Sequence, residues 1–363
     1  MSFTMEDYLL MFEWVLMKND AETLLQLHQA HNQPVFSLIF LPYYALFCQS
    51  FFEYCNLNDS SINFTQESAI KISDVRATLK MFYDGYKSNE RKILSVDDIQ
   101  NEEFKSQLKI PLLGLFNDHY NLGIYLDDKQ HILSNTQYGV FVFQDRHCLN
   151  GSANKDVAFI LGKDLGEVIG LVYTALSRVF PQINPQVLQV NIPVYYKDFN
   201  TNRNFNLYPH LENGKELTLR MLHLLSATNF VRFVIRPMIP TENPWQLRIK
   251  YITLYYVWKS LEKIQATYKN ESGLHSLLDF IDGSVLLNTT FRSCMTHYGL
   301  SNKGQCAIKD GFFDPDILLF GLVESCYGIS YSELNSKIDT VIDAMSDALA
   351  ERLPFDFSGC EAL

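Results

Sequence analysis

The chain has 363 residues, 47% of them hydrophobic and 13% aromatic, enough to fill a large buried core and too apolar for general disorder. Its formal net charge of −11 argues against an open, dedicated nucleic-acid-binding protein. That charge is uneven: residues 181–270 carry eleven Lys/Arg against five Asp/Glu, whereas residues 310–363 carry two against eleven. A basic middle beside an acidic end leaves room for an anionic ligand, or marks two ordinary solvated faces.

In chain order, Met5 to Met17 has apolar residues at helical spacing, and Asp20-Ala21-Glu22 reads as the acidic first turn of a second helix. Val35 to Phe52 is uncharged and apolar, nearly long enough to span a bilayer. It contains Pro42, Gln49 and Ser50 and lacks flanking Lys/Arg, so a buried pair of core helices is expected and no membrane span. His28-x-x-His31 could set two imidazoles on one helical face, but no third ligand completes a metal set, and no metal or cofactor is expected. The seven cysteines are odd in number and contain no CxxC, which predicts reduced thiols, and the N-terminus lacks a basic leader, which predicts a cytoplasmic location.

From residue 91 to 243 the pattern becomes mixed. Ile110–Phe116, Leu122–Leu126 and Tyr138–Phe143 are short runs rich in β-formers, with Asp127-Asp128-Lys129 as the clearest turn. Val157–Leu161 is another short apolar run, Asp164 caps a helix expected to reach Phe180, and Gln186–Tyr196 reads as a strand. After Pro244 the chain reads as helical: Leu247–Lys269 with an inner stripe of Ile249, Ile252, Tyr256, Leu261 and Ile264, then His275–Leu287, then a helix at Arg292. Asp314-Pro315 has the form of a helix start, and Ser330-x-x-Glu333 that of a capping box for a last helix ended by Pro354. The expectation is therefore an α+β protein: a helical N-terminal region (1–90), an α+β middle domain (91–243) and an all-α helical bundle (244–363).

No GxGxxG, Walker, GxSxG or HExxH motif is present. What stands out is Phe291-Arg292-Ser293-Cys294-Met295-Thr296-His297-Tyr298, which has the form Arg-x4-His late in a helical bundle. Over roughly Trp245–Leu353 the chain resembles the HEPN superfamily, whose active members carry Arg-x(4–6)-His near the start of a late helix. The resemblance implies a homodimer through this bundle that cuts RNA without a metal, as a toxin or antiviral defence effector, with residues 1–243 sensing a trigger or answering a regulatory partner.

The side chains suit that chemistry. Histidine changes charge near physiological pH and can move a proton, so His297 would act on a ribose hydroxyl or a leaving oxygen. Arg292 presents a charged planar fork to a phosphate gathering negative charge. Residues five apart on an ideal helix differ by about 140° in direction, so the two do not share one narrow face, though the homodimer seam that the resemblance implies could still bring both toward one phosphate. Arg232, Arg236, Arg248 and Lys250, interleaved with Phe233, Trp245 and Tyr251, are candidate RNA contacts. The plainer alternative makes His297 a core residue, ion-pairs Arg292 with Glu324, and leaves an adaptor or a small-molecule-binding protein.

Overall fold

The computed structural model describes residues 5–30, 33–57, 66–80, 93–102, 120–143, 153–180, 186–271, 273–302 and 305–363. His31, Cys148 and the Ile110–Phe116 run lie outside the described residues. The fold is α+β, dominated by helix. In chain order the elements are α1 (Met5–Ala30), α2 (Pro34–Leu57), α3 (Gln66–Ala77), β1 (Leu122–Leu126), β2 (Ile132–Asn135), α4 (Gln137–Phe143) and α5 (Ala153–Ser177). There follow β3 (Tyr195–Phe199), α6 (Gly214–Phe230), α7 (Pro244–Thr267), α8 (Thr289–Thr296), β4 (Ser301–Asn302), β5 (Gln305–Cys306), α9 (Leu322–Tyr327), α10 (Tyr331–Glu351) and β6 (Glu361–Ala362).

Four strands form one antiparallel sheet in the order β2-β1-β3-β6, with Tyr125 opposite Ser134 on one side and Tyr196 on the other. The β1–β2 turn is held by Asp127, whose Oδ1 accepts from the backbone N–H groups of Lys129 and His131 at 3.0 and 2.8 Å. The last residues return to the sheet edge, where Leu363 N donates to Val194 O. N-terminal and C-terminal segments share the core as well: α1 packs on α5 and α7, and the Tyr43 hydroxyl of α2 lies 2.7 Å from Thr253 Oγ1 of α7.

Several elements differ from their expected form. The two expected N-terminal helices are one, because Met17–Asp20 is buried and Asp20 has a partner inside the core, so it caps nothing. The expected helix pair at Val35–Phe52 is likewise one helix running through Pro42. It is the one helix among the described residues long and apolar enough to cross a membrane, and two-thirds of its apolar window is buried in the protein. Tyr138–Phe143 is helical, not extended: Val140, Phe141 and Val142 are buried in succession, a short apolar run whose periodicity cannot decide between strand and helix. Val157–Leu161 falls within α5, and of Gln186–Tyr196 only the end enters β3.

In the last third, His275–Leu287 is a series of turns with one 3-10 turn, and the Trp258 ring lies so close to Gly283 that a Cβ there would sit 2.4 Å from it. Asp314-Pro315 begins no helix. The backbone turns left-handed at Leu319, Phe320 and Gly321 before α9 starts at Leu322. Of the capping box, the N-cap half is present, with Ser330 Oγ accepting from Glu333 N at 3.3 Å, while the Glu333 carboxylate lies 3.1 Å from Lys337 Nζ. Helix α6, which no local periodicity or capping pattern marks, is almost wholly buried. It continues through a π-helical turn, Val231–Ile235, to Met238, and all but Lys215 and Ala227 are buried between Gly214 and Phe230.

That burial includes a polar chain. The Asp97 carboxylate takes the Lys215 ammonium, the Thr201 hydroxyl (3.0 Å) and Gln137 Nε2 (2.9 Å). With its amide nitrogen on a carboxylate, Gln137 turns Oε1 toward His223 Nε2 at 3.2 Å, so that nitrogen carries the proton. His223 Nδ1 then accepts from Asn135 Nδ2 at 3.1 Å. Burial pushes the His223 imidazole down to about 3, and it is neutral in the folded protein at ordinary pH. The unfolded chain takes up a proton there below about 6.5, so stability falls as pH drops from 6.5 toward 3. At pH 5 the loss is about 2 kcal/mol. Urea unfolding of the parent and of His223→Gln at pH 7.5 and pH 5 should show the parent losing that much more than the variant. Equal losses would refute the assignment.

Candidate functional site

Helix α8 is short because both ends are fixed by side chains. Asn288 caps the start, its Oδ1 accepting from Phe291 N at 2.9 Å. At the other end Ser50 Oγ of α2 donates to Thr296 O at 2.6 Å, satisfying a terminal carbonyl. Phe291, Cys294 and Met295 are buried, with the Phe291 ring edge-on to Tyr251 at 4.8 Å. Arg292 and Thr296, four apart, lie together on another side. His297 is the C-cap and leaves the helix in an extended conformation (φ −124°, ψ 156°). The 140° separation expected on a continuous helix therefore does not apply, and Arg292 and His297 line the same cleft of one chain.

That cleft measures about 350 Å³ and lies where four elements meet. Helix α2 lends Leu46 and Gln49, and α7 lends Ile252 and Tyr256. Ser73, Arg76, Ala77 and Lys80 come from α3 and the 3-10 turn that follows it, at spacings of three and four that align them on one face. Three cations, Arg76, Lys80 and Arg292, thus converge with His297 on one concave surface.

Glu53, one turn after Gln49 on α2, organises the rim. Its Oε2 lies 2.7 Å from His297 Nδ1, and its Oε1 accepts from Arg76 Nη1 (3.0 Å) and Gln49 Nε2 (2.9 Å). Burial alone would raise the Glu53 carboxyl, but the His297 hydrogen bond and the Arg76 charge outweigh it and bring it down to about 2. Arg292 is held differently. Its guanidinium lies 5.5 Å from the centre of the Tyr255 ring, its Nε is buried without a hydrogen-bond partner, and it has no ion pair among the described residues. Glu324, the expected counter-ion, instead accepts from Tyr331 N at 3.2 Å. His297 is exposed, not a core histidine.

The four candidate RNA contacts are elsewhere and occupied. Arg232 pairs with Asp343 (2.8 Å) and Asp347 (2.5 Å), Arg236 with Asp343 (2.7 Å), and Lys250, fully buried, with Asp339 (2.6 Å). These carboxylates form the i, i+4, i+8 row of α10, so the basic middle and acidic end of the sequence neutralise each other within the fold. Arg248 is buried against Asp20 and lies 4.2 Å from the Tyr298 ring, directly beneath the segment that carries His297. None of the four lines the cleft; the cations there beside Arg292 are Arg76, paired with Glu53, and Lys80, neither of them among the expected contacts. Their i, i+4 spacing, and that of Gln49 and Glu53 in an otherwise apolar helix, were the available signals.

His28 is exposed, and no group of three or more metal-ligating side chains occurs among the described residues. No protein-family model, curated protein or solved structure matches this chain.

Proposed function

We propose that this chain is a metal-independent endoribonuclease of the HEPN type whose site is the cleft between α2, α3, α7 and α8. The convergence of Arg292, His297, Arg76 and Lys80 on one concave surface supports the reading. Arg292, without a counter-ion among the described residues, supplies a fork of donors for the phosphate that gathers charge during cleavage. Arg76 and Lys80 add positive charge from α3 and the turn that follows it. His297 commits Nδ1 to Glu53 and keeps Nε2 to exchange a proton with the sugar hydroxyl or the leaving oxygen. In this reading the protein acts in the cytoplasm as a toxin or antiviral effector, homodimeric through its C-terminal helices and restrained by a regulatory partner.

The test is incubation of a mixed RNA substrate with the parent, Arg292→Ala and His297→Ala, with and without EDTA. The parent should cleave in both buffers and neither variant should. Intact RNA with the parent, cleavage by both variants, or loss of activity on chelation would each overturn the reading, and the first would favour a non-catalytic adaptor.

A further inference from the structure

The same cleft holds an unmet acceptor beside its cations. Gln49 lines the cleft, and its amide nitrogen donates to Glu53 Oε1 at 2.9 Å. Because the Glu53 oxygens only accept, the amide cannot be turned round: the nitrogen must face Glu53, and Oε1 is the atom left over. That oxygen is buried and has no hydrogen-bond partner. Arg292 Nε, from α8 in the same cleft, is a buried donor in the same condition. Unmet buried polar atoms are disfavoured unless something completes them. Here a donor group and an anion are wanted within one space of about 350 Å³, within the range of small-molecule sites.

A ribonucleotide offers that pairing, a phosphate next to a sugar hydroxyl that can donate. Deoxyribose lacks the hydroxyl, and inorganic phosphate lacks the sugar. We propose that the cleft is a ribonucleotide site in which Gln49 Oε1 accepts from the ribose 2′-hydroxyl next to the phosphate held by Arg292, Arg76 and Lys80. Gln49 is then the specificity-determining residue that separates ribose from deoxyribose. The inference rests on the nuclease reading for its substrate but needs no cleavage to be tested.

Calorimetric titration of the full chain with uridine 3′-monophosphate, 2′-deoxyuridine 3′-monophosphate and inorganic phosphate provides the test. The parent should bind the ribonucleotide about tenfold more tightly than the deoxyribonucleotide, because a site built for a hydroxyl is left unpaired by the analogue lacking it. Gln49→Met, of similar length and without the acceptor, should bring the two within about twofold while phosphate binding stays within about twofold of the parent. Arg292→Ala should weaken all three ligands. Equal binding of the two nucleotides by the parent, no binding of either, or a gap that survives Gln49→Met overturns the proposal. The comparison within the parent decides even if Gln49→Met does not fold. A ribose preference without RNA cleavage would leave this site standing and remove the nuclease reading; cleavage without the preference would do the reverse.

Discussion

Replacing Arg248 with methionine should lower the free energy of unfolding by about 3–5 kcal/mol, the range for removing one partner of a buried ion pair. Arg248 and Asp20 are both buried, and Asp20 Oδ2 also accepts from the Tyr298 hydroxyl at 2.5 Å. Burial raises the Asp20 carboxyl to about 6 even against the pull of Arg248 and Tyr298. With a folded value above the unfolded 3.8, ionised Asp20 weakens the fold, and its contribution is favourable below 3.8 and lost as pH rises through about 6. Without Arg248 the carboxyl moves further up and must stay protonated to remain buried. The destabilisation of Arg248→Met should therefore be larger at pH 8 than at pH 5.5, read by urea unfolding at both. Adding Asp20→Asn, which keeps an acceptor for Tyr298 and removes the charge, should recover part of the loss at pH 8. A loss below about 1 kcal/mol at both values would show that the pair is not the anchor that its burial implies. The consequence extends to the cleft, since Tyr298 follows His297 directly and is the residue that this pair holds down.

The role of Arg248 shows where sequence reasoning reached and where it stopped. Periodicity found α7 with its inner stripe, and capping chemistry found α10, because both are written locally in residues three and four apart. The buried pairing of Arg248 with Asp20 joins positions 228 residues apart, and no local pattern records it. The row of Asp339, Asp343 and Asp347 was visible only as an acidic end, and Arg232, Arg236 and Lys250 only as a basic middle. Their mutual neutralisation depends on α10 lying against the helix that ends at Met238 and on α7. Burial also overrode local preference at Tyr138–Phe143, where β-formers sit in a helix, and at Asp20, which reads as a helix start and lies mid-helix. For the site, the motif located Arg292 and His297. Their shared cleft depended on the helix ending one residue before His297, and on a carboxylate from α2, 244 positions away, to receive its ring.

That carboxylate sets the second expected result. In the nuclease reading, His297→Ala should lower the rate of RNA cleavage by about 10²–10⁴-fold, the usual contribution of a positioned proton-transfer group. Glu53→Gln should have a smaller effect, about 10- to 100-fold, comparable to removing the partner that orients a reactive histidine elsewhere. Glu53 touches no substrate in this arrangement: it fixes the His297 ring through Nδ1 and stays ionised at any working pH, so it is a positioning residue. A purely structural role predicts the opposite balance. The His297 and Glu53 side chains are 47% and 36% exposed, and a pair so open to water adds less than about 1 kcal/mol to the fold. His297→Ala should therefore melt within about 2 °C of the parent while cleaving far more slowly. If Glu53→Gln unfolds at much lower temperature, or cleaves as fast as the parent, the carboxylate is a strut and not a positioning residue; if His297→Ala cleaves as fast as the parent, His297 has lost its claim to chemistry.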